Sequence, residues 1–65
     1  MKATYDPKTD TLSLELKSGP VAKSDEVKPG TILDYDDAGN LIGIEILNAS
    51  QRVAETRTME FQIAE

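Results

Sequence analysis

The residues best placed to do chemistry lie in one acidic stretch. Asp34, Asp36, Gly39 and Glu45 occupy positions one, three, six and twelve of a calcium loop of the EF-hand type. A hard cation needs several oxygens, a glycine at the sharp bend and a bidentate glutamate to close its shell. Position five, however, is Ala38, which offers no side-chain oxygen, and the flanking residues have the period of strands rather than helices. The expected hairpin register also sets Asp34 and Glu45 on opposite faces of the sheet. The stretch is therefore expected to be an Asp/Asn-rich turn, and the 34–37 segment at most a weak divalent-cation site.

Paired carboxylates could also act as general acid and base. Twelve acidic residues make such pairs frequent by chance, and that chemistry needs a cleft that excludes water. Asp34 stands apart, because the expected register gives it a face shared with Ile32, Ile42 and Ile44. Burial there would raise its pKa. The expectation carried forward is milder: Asp34 is solvated at the open end of its hairpin, or accepts a backbone N–H.

Nucleophilic catalysis has little to stand on. The chain has no His and no Cys, so Ser13, Ser18, Ser24 and Ser50 have no imidazole to activate them. The same absences remove disulfides, thiolate metal sites and the commonest metal ligand. Gly39 and Gly43 do not make a phosphate-cradling loop, and Pro29-Gly30 is a turn. We expect no catalytic, cofactor or metal residues and a protein that is not an enzyme. The remaining candidate is an interaction surface formed by Tyr35, Leu41 and Leu47, a tyrosine among aliphatics on one expected face. The competing expectation is that Val53, Phe61 or Ile63 of the C-terminal segment covers that face.

These residues must be positioned by strands. Leu12, Leu14 and Leu16 alternate with polar residues, as do Ala3 and Tyr5 before them. With a turn at Asp6-Pro7-Lys8-Thr9-Asp10, residues 2–17 read as a β-hairpin. Residues 21–27 read as a weaker strand whose Lys23, Asp25 and Glu26 suit a sheet edge. Residues 31–35 and 41–47 flank Asp36-Asp37-Ala38-Gly39-Asn40, where Gly39 fits the left-handed position of a three-residue loop. That register pairs Tyr35 with Leu41, Asp34 with Ile42, Leu33 with Gly43 and Ile32 with Ile44. Asn48 and Gln51 suggest a capping box and a short helix to about Arg57. Met59, Phe61 and Ile63 alternate as a last strand.

The expected fold is a small, mostly β domain: an antiparallel sheet of five or six short strands with one short helix near the C-terminus, residues 1–65 forming one unit. With 65 residues, such a domain buries only about 60% of its unfolded surface, so self-association is a natural supplement. The net charge of −5 and the scattered Lys and Arg argue against a nucleic-acid footprint and favour a merely soluble surface or a basic protein partner, while the missing staples favour a homodimer. No apolar run behind Lys2 suggests a signal peptide, and Leu41–Leu47 is too short to cross a bilayer. A cytoplasmic location and no membrane partner are the expectation.

Three segments carry a resemblance: Tyr5-Asp6-Pro7 with Asp10 and Leu12; Pro29-Gly30-Thr31-Ile32-Leu33-Asp34-Tyr35-Asp36; and Gly39 through Ser50. Together, over about residues 1–50, the chain resembles a family of small prokaryotic proteins known as domain of unknown function 2283. The resemblance implies a compact β-rich domain and brings no catalytic residue. Some relatives are proposed as the antitoxin half of a toxin–antitoxin pair, which fits an acidic surface meeting a basic protein. Residues from Gln51 onward lie outside it.

Overall fold

A computed structural model describes residues 1–65. Five strands form one antiparallel sheet: β1 (Lys2–Asp6), β2 (Thr11–Glu15), β3 (Lys23–Lys28), β4 (Thr31–Tyr35) and β5 (Leu41–Leu47). Their order is β1-β2-β5-β4-β3, so β5 is central and β1 and β3 are the edges. The most apolar strand thus takes the place with neighbours on both sides, and the charged 23–28 segment takes an edge, where its charges discourage pairing with another chain.

Three tight connections close the ladders. The turn after β1 ends on Asp10, which takes a positive φ of 54°. Pro29-Gly30 joins β3 to β4, with Gly30 at φ 80°. Between β4 and β5, Gly39 (φ 84°) donates its N–H to the Asp36 carbonyl at 3.0 Å, and Asp36 donates to the Asn40 carbonyl at 3.0 Å. This is the three-residue loop expected from the sequence. The longer connection from β2 to β3 must cross the sheet, and it is stitched at both ends. Leu16 and Lys17 donate to the Ile42 carbonyl at 2.8 and 3.3 Å, and Ala22 donates to the Tyr35 carbonyl at 2.8 Å.

The β4–β5 register departs from the expected one. Tyr35 pairs with Leu41, but the next pair is Asp34 with Gly43, followed by Leu33 with Ile44 and Ile32 with Glu45. Ile42 is the extra residue of a bulge. Because side chains alternate with period two, this one-residue shift exchanges the faces of everything beyond it.

The C-terminal segment also differs. In place of a helix to Arg57 there is a single 3₁₀ turn, Ala49–Gln51. Asn48 sits in the left-handed region (φ 53°, ψ 43°) and makes no capping hydrogen bond, so it cannot open a helix as a capping box requires. The helix would have been short and nearly without apolar residues to bury, conditions under which isolated helices fail. Met59–Ile63 pairs with no strand. Alternation alone does not make a strand without a ladder partner.

Antiparallel partners share a face, so the registers sort the side chains. One face carries the rows Ala3–Leu14–Ile44–Leu33 and Tyr5–Leu12–Ile46–Thr31. The other carries Lys2–Glu15–Gly43–Asp34–Ser24 and Thr4–Ser13–Glu45–Ile32–Glu26. The molecule is a slab of 34 × 33 × 19 Å. Its only fully buried apolar side chains are Ile42 and Ala49.

Candidate functional site

The polar face holds the one buried charged residue. Asp34 is 7% exposed, and its Oδ1 accepts a 2.6 Å hydrogen bond from the Ser24 hydroxyl on the neighbouring edge strand. Across the other ladder stands Gly43, whose missing side chain leaves room for the carboxylate. A Cβ at Gly43 would lie 3.2 Å from Asp34 Oδ2. Two residues along β5, Glu45 lies on the same diagonal and within hydrogen-bonding reach of the Asp34 carboxyl. That hydrogen bond, then desolvation, then the charge of Asp34 raise the Glu45 pKa above its ordinary value near 4.5. Asp34 is therefore buried against Ser24 and Glu45. It is neither solvated nor satisfied by a backbone N–H, and Glu45 is beside it rather than on the opposite face. The bulge at Ile42 is the reason for both corrections.

Two carboxyls in hydrogen-bonding contact can hold one proton between them, an arrangement suited to acid–base chemistry. The space over this pair is small. The recess, bordered by Ser13, Lys17, Val21 and Ile42, encloses about 190 Å³, below the ~300–1,000 Å³ typical of small-molecule sites. Ser24, the nearest hydroxyl, spends its proton on Asp34.

Asp36 is turned to another task. Its Oδ1 accepts from the N–H groups of Ala38 (3.0 Å) and Asn40 (2.9 Å), and its Oδ2 from the Asn40 side chain at 3.2 Å. The Asn40 backbone and side-chain donors are the main cause holding its pKa below the ordinary value near 3.8. The set expected from calcium-loop spacing is thus divided. Asp34 and Glu45 meet on the sheet, while Asp36 closes its own turn.

The trio Tyr35, Leu41 and Leu47 is also divided. Tyr35 and Leu41 are paired and share the apolar face, but Leu47 pairs with Thr11 and falls on the polar one. The C-terminal segment does not cover Tyr35 and Leu41. It runs instead over the apolar face of β1 and β2, where Met59 and Phe61 border a groove of about 440 Å³ with Met1, Ala3 and Leu14. A second groove, of about 380 Å³, lies along the same segment between Tyr5, Leu12, Val53 and Met59. Phe61 and Ile63 remain 72% and 74% exposed. The surface that sequence reasoning missed is the pair of rows running through Leu14, Ile44 and Leu33 and through Leu12 and Ile46. Its signal was present in the alternation of β2, but its extent depends on the bulged register.

Residues 2–50 match the model of a family described as a protein of unknown function, DUF2283. The chain belongs to this family. No curated protein and no solved structure matches it. The DUF2283 span takes in the whole sheet, the Asp34–Glu45 pair and the Asp36 turn, and it stops at Ser50 within the 3₁₀ turn. The segment lying along β1 and β2 is outside it. No helix of this DUF2283 protein is long and apolar enough to cross a membrane.

Proposed function

We propose that this DUF2283 protein is a non-catalytic protein-binding module that works through the apolar face of its sheet. The observation that carries this reading is the incomplete second layer, which the C-terminal segment supplies only over β1 and β2. Stable domains bury an apolar sheet face against another layer. Here Leu12, Leu14, Leu33, Ile44 and Ile46 stay half-buried, with grooves left open beside the C-terminal segment. Tyr35 and Leu41, at 38% exposure for the latter, extend this surface toward the Asp36 turn. The net charge of −5 makes a basic protein the partner class, as for the neutralising member of a toxin–antitoxin pair. The absence of His and Cys, and the use of Ser24 and Ser50 as donors to Asp34 and Asp10, support a non-catalytic role.

The test is affinity capture from lysate of the source organism with wild-type, Tyr35→Ala and Glu15→Ala baits. A stoichiometric basic protein retained by wild type and Glu15→Ala, and lost with Tyr35→Ala, supports the reading. Hydrolysis of a common substrate at a rate abolished by Glu45→Gln would remove it.

A further inference from the structure

We infer that the occupant of the apolar face is a second copy of this chain, the two sheets stacking face to face as a symmetric two-layer dimer. This rests on the reading of that face as an interface, and adds who covers it.

Stability supplies the first reason. A chain of 65 residues with two fully buried apolar side chains lacks the core that normally holds so small a domain. It has no Cys for a disulfide and no His for a metal staple. Whatever covers the face must therefore be present whenever the chain is folded. A second copy meets that condition at every stage of expression, since it is always made in equal amount.

Charge supplies the second. The strand residues facing away from the apolar rows include Asp6, Glu15, Glu26, Asp34 and Glu45 against Lys2. On the apolar side the strand charges are Lys23, Asp25 and Lys28, all on the β3 edge, with Lys23 and Asp25 approaching each other at 3.9 Å. Two chains of net charge −5 can thus meet on this side without bringing their carboxylates together. The acidic faces, which stacking leaves outward on both sides, then stay open to a basic partner of the dimer.

Area supplies the third. The slab spans 34 × 33 Å over the whole chain, a breadth compatible with the ~800 Å² each partner gives to a standard interface. Sheets stacked about 10 Å apart would interdigitate the rows through Ile44 and Ile46 with their symmetry mates.

Sedimentation equilibrium of the full chain tests this. The expected mass is twice 7.1 kDa, with Leu41→Lys weakening association about tenfold or more and Glu15→Lys leaving it unchanged. Because the chain has no cysteine, single replacements provide a second measure that does not depend on a charged substitution folding. Leu33→Cys should cross-link to a dimer under mild oxidation, whereas Ser13→Cys on the outer face should not. Equal cross-linking from both positions would overturn the assigned face. A monomer at every concentration would overturn the dimer, and methyl spectra with a soluble paramagnetic chelate then separate the two proposals. Bleached Leu33 and Ile44 methyls mean an open face awaiting another partner. Protected methyls in a monomer mean the chain covers its own face, and both proposals fall.

Discussion

Asp34 lies across the ladder from Gly43, and the glycine is what allows a carboxylate to lie down over the centre of the sheet. The Asp34 Oδ2 would be 3.2 Å from a Cβ at Gly43, and the Leu14 carbonyl 3.4 Å from it on the other side. The carboxylate has little room to retreat, because Ser24 holds its other oxygen at 2.6 Å. An interior glycine normally weakens a strand, so its use here is tied to the group it accommodates.

Gly43→Ala is therefore expected to destabilise the fold by about 1 kcal/mol, the overpacking cost exceeding the backbone gain. Urea unfolding measures it. In an Asp34→Ser background the same change should be neutral or stabilising. If Gly43→Ala stabilises the wild type, the close approach does not matter energetically.

Stability should fall as the solution approaches neutrality. Glu45 holds its proton more tightly in the folded chain than its ordinary value near 4.5, chiefly through Asp34. Its contribution is fully present below that value and is lost as pH rises through the higher folded one. Asp10 and Asp36 have the opposite sign. Their pKa values are held below the ordinary 3.8, Asp10 first by the Ser50 hydroxyl and Asp36 first by the Asn40 N–H, so their contribution is present above 3.8 and is lost as pH falls through the folded values. Urea midpoints measured from about pH 3 to about pH 8 should peak in the weakly acidic range. Glu45→Gln should flatten the upper limb and leave the lower one. A wild-type midpoint that rises steadily toward neutrality would count against the carboxyl pair.

The strands and the Gly39 turn were legible because their signals are local: period-two alternation, and a glycine where φ must be positive. The face assignment was not, because it rests on one bulged residue. Gly43, next to Ile42, is the one local sign, since a glycine inside a strand often marks a bulge or a close approach, but it does not fix the register. The Ile42 carbonyl takes the N–H groups of Leu16 and Lys17, more than twenty residues earlier in the chain. With the register shifted, Asp34 and Glu45 met on one face and Leu47 left Tyr35 and Leu41. The expected helix failed for a similar reason. Asn48 and Gln51 fit a capping box locally, yet the donors of Ala49 and Ser50 are claimed by Asp10 from the first turn.

Asp10 is accordingly the anchor of the C-terminal turn. Its carboxylate accepts from the Tyr5 hydroxyl at 2.7 Å, the Ser50 N–H at 3.0 Å and the Ser50 hydroxyl at 2.7 Å, while its carbonyl takes the Ala49 N–H at 2.9 Å. Asp10→Ala removes three of these and places a residue with no local hydrogen bond at φ 54°. The Ser50 amide should exchange much faster and the thermal midpoint should drop. Asp10→Asn tolerates the same φ and keeps one acceptor oxygen, so it should lose less. An Asn variant as stable as the wild type would show that backbone conformation, rather than the carboxylate, carries the anchor.

Arg52 and Gly30 form a second anchor at the opposite turn. The guanidinium donates to the Pro29 carbonyl at 2.7 Å and to Thr31 Oγ1 at 3.0 Å, spanning the β3–β4 turn. Gly30 has φ 80°, and a side chain there would run into that guanidinium. Gly30→Ala thus has two costs, about 1 kcal/mol or more for the left-handed backbone and a further steric one. Arg52→Ala removes the clash but not the backbone cost. The double variant should therefore be more stable than the sum of the single losses predicts, yet less stable than Arg52→Ala alone. Strict additivity in urea unfolding would mean the two residues do not touch in solution.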